Sequence, residues 1–140
     1  MQIRETVLEA PGGSWRVAEA TPPPDLADTV QTFWETHGFV SFGYEKHVPR
    51  GTADLIFNLS GPQRMYADGD LARATTFHRA WIAGLFDRPL YVGPAYDAGL
   101  AGTHLIAVQI PPAAVHALFG LTAYELTNRV FEAEDVFGPW

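Results

Sequence analysis

Histidine is the residue type best suited to bind a metal ion or transfer a proton near neutral pH, and this chain of 140 residues has five. A metal-binding strand places two ligands on one face, at positions i and i+2, so that both side chains reach the same ion. No His-x-His pair occurs in the sequence. We therefore predict no metal and no cofactor, and solvated or hydrogen-bonded roles for His37, His47, His78, His104 and His116.

Nucleophilic catalysis has no better support. Cysteine is absent, which excludes thiol nucleophiles, disulfides and Cys-ligated clusters. No serine stands in a Gly-x-Ser-x-Gly elbow, and Ser60 belongs to a Ser-Gly-Pro turn. Asp68-Gly69-Asp70 starts like a calcium loop, but the later oxygen ligands and the final Glu are absent, so a hairpin tip is the better interpretation. We expect no catalytic residues and no enzymatic activity.

One carboxylate has an unusual position. Asp54 precedes the apolar run Leu55-Ile56-Phe57, and a carboxylate that enters a buried strand must find a polar partner or stay at the rim. The simpler interpretation is a hydrogen bond to the turn around Arg50 and Gly51. We favour that structural role over a functional one.

Aromatic side chains are abundant, with four Trp, five Tyr and nine Phe. Most of them must form the core, because large rings bury the most apolar area. A β body rich in Trp and Tyr can also leave a cavity whose walls pack an organic ligand, and on the sequence alone a filled core and a ligand pocket are equal alternatives. Strand alternation lets only some rings face inward, so the candidate ligand-binding residues form a pool: Phe42, Tyr44, Phe57, Tyr66, Trp81 and Tyr91.

The elements that must position these rings are mostly short strands. Residues 39–48 alternate in polarity, and residues 53–59 form a compact apolar run between turns, which predicts a central strand. Asp68-Gly69 predicts a hairpin turn. Residues 25–37 fit a helical stripe and a strand about equally, and stay undecided. Many short strands predict a barrel or sandwich, and further strands are expected at residues 15–17, 64–66, 75–77, 80–86, 90–92 and 104–110.

A helical pair follows this β body, which spans about residues 15–110. Pro111-Pro112 suits a first helical turn, and Gly120 can supply a left-handed cap. Thr122 and Glu125 make a capping box for a second helix, so the pair covers about residues 111–137 of a single domain, 1–140.

The apolar side chains of this pair suggest how it docks. We expect the stripe of Leu118, Leu126 and Val130 to pack on the β body. Phe119 and Tyr124 are expected to point outward and are candidates for a homodimer interface, with a monomer as a nearly equal alternative.

Charge and composition exclude several classes of protein. The formal net charge is −7, and from Pro89 onward the only Lys or Arg is Arg129, so the helical pair is not a DNA-reading helix-turn-helix. With 47% hydrophobic and 18% charged residues the chain should fold. No signal peptide or membrane span is read from the sequence, and the missing cysteines suit the cytoplasm.

Three segments together resemble the N-terminal sensor domain of AraC-type transcriptional regulators: residues 47–59, 81–85 and 118–130. The most specific parts are the strand entry Pro-x-Gly-x-x-Asp-Leu-Ile-Phe and the final helical run, with an acidic Glu-Asp before Gly138. The resemblance covers about residues 15–138. It implies a mainly β (α+β), cupin-like barrel or sandwich followed by two C-terminal helices, and a strand at residues 30–34.

The resemblance also implies a function. In such regulators this domain senses a small organic effector or mediates dimerisation, while a separate C-terminal domain with two helix-turn-helix units binds DNA. The family commonly has a proline followed by glycines where this chain reads Pro111-Pro112-Ala113-Ala114, and the DNA-binding half is not among these residues. We therefore expect an effector-sensing and dimerisation domain that contacts DNA only through another domain. The alternative is a small stand-alone cupin-like enzyme or ligand-binding protein.

Overall fold

The chain is described by a computed structural model that covers residues 1–40, 45–67, 73–94 and 102–139. Its first half consists of the strands β1 (Ile3–Ala10), β2 (Gly13–Ala20), β3 (Thr32–Val40), β4 (Glu45–His47), β5 (Ala53–Asn58) and β6 (Gln63–Ala67). A 3-10 turn at Pro24–Leu26 lies between β2 and β3. The second half mixes strands and short helices: β7 (Thr75–Phe77), β8 (Ala80–Ala83), β9 (Leu90–Pro94), β10 (Gly102–Ile110), α1 (Pro112–Phe119), α2 (Ala123–Leu126), β11 (Val130–Glu132) and α3 (Ala133–Phe137).

The strands form two antiparallel sheets. The larger has seven strands in the order β1-β2-β3-β10-β5-β8-β11, and the smaller has four in the order β4-β9-β6-β7. The strand expected at residues 53–59 is central, with β10 on one side and β8 on the other. Leu59 lies beyond its end and is 58% exposed.

A first apolar core lies between the two sheets. Side chains that alternate along β5, β8 and β10 meet side chains from β6, β7 and β9, because successive residues of a strand point to opposite faces. Its buried members are Ile56, Met65, Phe77, Trp81, Ala83, Leu90, Val92, Leu105 and Ala107.

A second core covers the opposite face of the seven-stranded sheet. There Ala53, Ile82 and Ile110 pack against the helices through Val115 and Leu126. The molecule therefore has three layers, which are the small sheet, the large sheet and the helices. Strands β5 and β8 lie in the middle layer and contribute buried apolar side chains to both cores.

The helical pair starts as the sequence predicts. Gly120 ends α1 in the left-handed region with φ 67°. The Thr122 side chain accepts a hydrogen bond from the Glu125 N–H, and the Glu125 carboxylate accepts one from the Thr122 N–H at 2.7 Å. The predicted capping box is confirmed.

The second helix stops earlier than expected. It ends at Leu126, and Asn128 has φ 53°. The Asn128 N–H donates to the Leu85 carbonyl at 2.9 Å, and the Asn128 side-chain oxygen accepts from the Asp87 N–H at 3.1 Å. These tertiary hydrogen bonds replace helical ones, and the chain continues as β11, which pairs with β8.

The outward placement of Phe119 is wrong. This side chain is 7% exposed, and its ring lies 5.7 Å from that of Phe137. Helix α1 buries Val115 and Phe119, at i and i+4, whereas Leu118 of the predicted docking stripe is 41% exposed. Tyr124 does point outward, at 88% exposure.

The undecided segment contains both kinds of structure. A 3-10 turn at Pro24–Leu26 precedes β3, which starts at Thr32 because its backbone pairs with both β2 and β10. The predicted hairpin is confirmed in its pairing of β6 with β7, and its tip at Asp68-Gly69 lies outside the described residues. In the part of the chain that the structure covers, no helix is long and apolar enough to span a membrane.

Candidate functional site

A cavity of about 510 Å³ lies on the face of the large sheet that is turned toward the small sheet. Its volume is in the range of small-molecule sites. Its wall from the large sheet comes from β2, β3, β5, β8 and β10: Trp15, Val17, Glu19, Trp34, Thr36, Asp54, Ile56, Trp81, Ala83, Leu105 and Gln109. The rest comes from β4, the segments after β4 and β8, and the small sheet: Lys46, His47, Val48, Pro49, Arg50, Thr52, Gly84, Phe86, Met65, Leu90 and Val92.

The strand register places four side chains of the large sheet in one row. Trp34, Ala107, Ile56 and Trp81 follow one another across β3, β10, β5 and β8 in one row on the inner face. Two indoles therefore flank a small alanine and an isoleucine. Ala107 is fully buried in the core, and Trp34, Ile56 and Trp81 are the members of this row that line the cavity.

Trp81 has an unsatisfied polar atom. The residue is fully buried, and its indole nitrogen Nε1 finds no hydrogen-bond partner among the described residues. An indole N–H is a donor only, and leaving a buried donor unpaired costs about 1–3 kcal/mol. Trp81 belongs to the wall of the cavity, but this nitrogen has no accessible surface, so its missing hydrogen bond is a cost to the core.

Asp54 supplies the carboxyl group of the site. It lies partly buried on β5, on the same face as Ile56, and its Oδ1 accepts a hydrogen bond from Thr52 Oγ1 at 3.5 Å. Burial raises the pKa of this carboxyl from its ordinary 3.8 to about 6. The charges of Arg50 and His47 and the hydrogen bonds from Thr52 and Trp34 lower the pKa and offset part of that rise.

Polar and charged side chains surround this carboxyl. Gln109 is 5% exposed and stands beside Asp54 on the neighbouring strand. Lys46, Val48, Pro49 and Arg50 are exposed and line the cavity, so they mark its mouth. Glu19 also lines it, and its carboxylate pairs with Arg4 at 2.6 Å.

Of the predicted ligand-binding residues, Trp81 lines the cavity. Phe57 is one position out of phase with Ile56, so its ring points to the other face of the large sheet. Tyr66 and Tyr91 stand opposite each other on β6 and β9, with rings stacked 5.3 Å apart on the face of the small sheet away from the cavity. The remaining two candidates, Phe42 and Tyr44, lie outside the described residues.

The sequence interpretation missed several lining residues. Trp15 lies in a predicted strand and Trp34 in the segment 25–37 that the pattern leaves undecided, and neither is among the predicted ligand-binding residues, although both line the cavity. Gln109 gave a signal in the sequence, since it is a polar residue inside the apolar run 105–110. The sequence predicts a hydrogen bond between Asp54 and the turn around Arg50 and Gly51, and the observed partner is the hydroxyl of Thr52, the next residue along the chain.

Outside the cavity, one histidine cluster lies on the other face of β3 and β10. His104 Nε2 is 2.5 Å from Glu35 Oε1, and the rings of His37 and His104 stack at 4.2 Å. Glu35-x-His37 is the sequence spacing that predicts such a shared face. No group of His, Asp and Glu in residues 1–40, 45–67, 73–94 and 102–139 is arranged to hold a metal ion.

Comparisons with known proteins identify a family and a fold. Residues 18–132 match the model of a family described as a domain of unknown function, DUF6597. The sequence matches no curated protein. Among solved structures, the bacterial pirin YhhW in complex with nickel(II), from Escherichia coli, superposes with a TM-score of 0.55 at 10% identity, over 79% of this chain and 52% of the pirin.

Two further structures share the fold. FeII HppE gives a TM-score of 0.53 at 12% identity, over 77% of this chain and 56% of that protein. A predicted oxalate decarboxylase from Thermotoga maritima gives 0.50 at 13% identity, over 79% of this chain and 94% of that one. The chain thus spans about half the length of YhhW and of HppE.

These likenesses establish a mainly β, cupin-type fold, as the sequence predicted. Of the two predicted forms, barrel or sandwich, the described sheets make a sandwich. The seven-stranded sheet has β1 and β11 as its edges and is not closed.

Proposed function

The chain belongs to the DUF6597 family, and we propose that it is the effector-binding domain of an AraC-type transcriptional regulator, with the cavity between its two sheets as the effector site. Its cupin-type fold supports a ligand-binding or enzymatic domain. The regulatory part of the proposal comes from the resemblance of residues 47–59, 81–85 and 118–130 to sensor domains of such regulators.

One observation carries the proposal. The cavity combines aromatic walls with a partly buried carboxyl on Asp54. This carboxyl lowers the stability of the unliganded fold, since a desolvated charge is costly. A site that binds a polar organic ligand gives a physical reason to keep it.

The position of β8 supports a sensing role. Trp81 and Ala83 line the cavity, and Ile82 between them packs in the helical core. Gly84 N–H donates to the Arg129 carbonyl in the segment after α2, and Leu85 N–H donates to the carbonyl of Leu126, the last residue of α2, both at 2.9 Å. A ligand that shifts β8 therefore shifts the C-terminal helices as well.

A second candidate function rests on Asp54. A carboxyl with a pKa of about 6 in a cavity is a candidate general base, which favours the alternative of a small cupin-like enzyme. The two functions make different predictions for a bound compound. A sensor domain releases it unchanged, whereas an enzyme converts it.

The proposal is tested by ligand screening on the purified 140-residue chain. A library of sugars, aromatic compounds, amides and acids is followed by thermal shift and by tryptophan fluorescence, because Trp15, Trp34 and Trp81 all line the cavity. A ligand at a hundred times its dissociation constant raises the stability by about 2.7 kcal/mol. We expect at least one class of compound to bind and to be recovered unchanged.

Two variants show where the compound binds. Asp54→Asn removes the charge of the cavity carboxyl and keeps its shape, and Tyr91→Phe removes a polar atom on the far side of the small sheet. Binding that is altered by Asp54→Asn and unchanged by Tyr91→Phe places the ligand in the cavity. A library with no binders, or hits that both variants bind like the wild type, removes the basis of the proposal.

A further inference from the structure

We infer that the cavity takes a small organic monoanion, a carboxylate on a flat apolar ring, which binds with its charge at the mouth and its ring on the aromatic wall. This ligand class rests on the proposed function, since it belongs to the same site. Two features of the described lining residues carry it, the excess of positive charge at the mouth and the accessible aromatic surface of the wall.

The mouth of the cavity is positively charged, although the chain as a whole has a net charge of −7. Lys46, which is the single lysine of the sequence, and Arg50 are exposed and line the cavity. His47 lines it too and adds positive charge when it is protonated. Cations gathered at one opening of an acidic chain attract anions to that opening.

Few carboxylates oppose these cations. Among the described lining residues the acidic ones are Glu19 and Asp54, and Glu19 already pairs with Arg4 at 2.6 Å. Lys46 and Arg50 therefore face the remaining carboxylate of Asp54 with one positive charge in excess. A monoanion balances this charge.

The two cations are available to a ligand. In the part of the chain that the structure describes, neither Lys46 nor Arg50 forms an ion pair with Asp or Glu. The charge of Arg50 lowers the pKa of Asp54, but no salt bridge joins these side chains. A guanidinium offers five N–H donors in a planar fork that matches the two oxygens of a carboxylate. We therefore expect Arg50 to bind the ligand carboxylate.

Asp54 determines how such a ligand is oriented. Its carboxyl is partly buried, whereas Arg50 is exposed, and it already accepts hydrogen bonds from Thr52 and Trp34. Like charges repel, so a ligand carboxylate is disfavoured beside Asp54 and favoured beside Arg50. The uncharged ring then lies on the wall.

Aromatic side chains supply the surface for that ring. Trp15, Trp34 and Phe86 line the cavity and are half-buried, so part of each side chain is accessible. Val17 and Thr36 stand opposite each other on β2 and β3, between the two indoles. Flat rings pack favourably on such aromatic and apolar walls, whereas an acid without a ring leaves them uncovered.

The test uses five small probes that differ in charge or in the ring. Benzoate represents the inferred class, benzamide is its uncharged counterpart, benzylamine is a cation, phenyl phosphate carries more negative charge than the mouth balances, and acetate lacks the ring. Dissociation constants for the 140-residue chain are measured at pH 8 and low salt by NMR titration. We expect benzoate to bind at least about tenfold more tightly than each of the others, and added salt to weaken benzoate but not benzamide.

Matched variants assign the carboxylate to the mouth. Arg50→Gln should weaken benzoate roughly tenfold and leave benzamide unchanged, because it removes a charge-assisted hydrogen bond. Arg16→Gln removes the same charge from the opposite face of β2, where Arg16 is exposed next to the lining residue Trp15, and should leave benzoate unchanged. Asp54→Asn should tighten benzoate, because it removes the repelling charge. If Arg50→Gln does not fold, as its melting curve will show, weakening by Lys46→Gln and tightening by Asp54→Asn decide.

The outcomes separate this ligand class from the proposed function. Tightest binding of benzamide, benzylamine or phenyl phosphate overturns the monoanion and keeps a ligand site in the cavity, and acetate that equals benzoate overturns the ring. Benzoate affinity that a folded Arg50→Gln leaves unchanged, or that Arg16→Gln lowers equally, overturns binding at the mouth. If none of the five binds while other compounds of the library do, the class is wrong and the proposed function stands. A library without any binder contradicts the proposed function itself.

Discussion

Asp54 is a single residue whose carboxyl group makes the cavity polar and at the same time lowers the stability of the fold. Its carboxyl is more readily protonated in the folded chain than in the unfolded one, because burial raises its pKa to about 6. The folded state therefore binds an extra proton between the two pKa values. Stability from this group is fully present below the ordinary pKa of 3.8 and is lost as the pH rises through about 6.

Asp54→Asn should therefore stabilise the fold in a pH-dependent way. Asparagine keeps the shape and the acceptor oxygen for Thr52 and Trp34 and removes the desolvated charge. We expect the variant to exceed the wild type by about 2 kcal/mol above pH 7, less than the full shift would give because the side chain is still partly exposed. Urea unfolding as a function of pH measures the difference.

The same measurement has a built-in control. Below about pH 3 the carboxyl of Asp54 is protonated in the folded and the unfolded chain, and the two unfolding free energies should coincide. Lys46, His47, Arg50 and Glu19 face the same cavity and are unchanged in the variant. A variant that is less stable than the wild type at pH 8 shows that the attraction of Arg50 and His47 exceeds the cost of burial, which contradicts this account.

Residue types alone could identify only part of the site. Trp81 is one of the predicted ligand-binding residues because a tryptophan in a predicted strand can form the wall of a cavity, and it does line the cavity. Phe57, Tyr66 and Tyr91 are predicted for the same reason, but their side chains lie on the sheet faces that point away from the cavity. The sequence of β5 does not show which of its residues face the cavity, because Leu55 and Ile56 are both apolar and pack in two different cores.

Strand β8 is the element that joins the cavity to the helices. It has buried residues on both faces, and Gly84 follows it at a point where the backbone of the next segment comes very close. A Cβ built on Gly84 lies 1.9 Å from the Leu126 carbonyl oxygen. Because the obstacle is backbone, no side-chain rotation can relieve this contact.

Gly84→Ala should therefore be among the most destabilising single-methyl changes in this fold. We expect a loss of about 3 kcal/mol, near the upper part of the range for overpacking, or failure to fold. Ala113→Gly on the exposed side of α1 changes the same single methyl in the opposite direction and should cost about 1 kcal/mol. Chemical denaturation of both variants makes the comparison, and a tolerated Gly84→Ala would show that β8 and α2 are free to separate.

The capping box of α2 makes a smaller, local contribution. Thr122→Ala removes the side-chain oxygen that accepts the Glu125 N–H at 3.2 Å and should cost about 1 kcal/mol. The Glu125 carboxylate still accepts the N–H of residue 122, so the loss is partial. A change below about 0.3 kcal/mol in the unfolding free energy would mean that tertiary contacts of Leu126 hold this turn without the cap.

At the scale of elements, sequence patterns predicted what depends on local chemistry. The cap of α2, the left-handed Gly120 and the pairing of β6 with β7 follow from residue types a few positions apart. The early end of α2 and the existence of β11 depend on contacts with residues 81–87, far earlier in the chain. An example is the hydrogen bond from the Asp87 N–H to the Asn128 side chain, which joins residues 41 positions apart. No short pattern encodes such contacts.

At the scale of the whole molecule, charge limits what the chain can bind. The net charge is −7, and among the residues from 102 to 139 Arg129 is the single Lys or Arg against four Asp and Glu residues. A phosphate backbone is repelled by such a surface. We predict no binding of duplex DNA by these 140 residues at physiological salt, measured by fluorescence anisotropy with a labelled duplex; submicromolar, salt-sensitive binding would contradict it.

The helical layer offers apolar surface to a second copy of the chain. The resemblance to sensor domains implies dimerisation, and Tyr124 at 88% and Leu118 at 41% exposure offer apolar area on α2 and α1. We expect sedimentation equilibrium to show a wild-type dimer that Tyr124→Asp and Leu118→Asp weaken by at least tenfold, since a charge placed in an apolar contact is poorly tolerated.

Phe119→Asp is unsuitable, because Phe119 is buried against Phe137 and its loss reports on folding. Val7→Asp on exposed β1, with 64% exposure, is the matched control on the far edge of the large sheet. A monomeric wild type contradicts dimerisation through the helices. A dimer that only Val7→Asp weakens places the interface on β1, and β8 then has no link through the helices to a second copy.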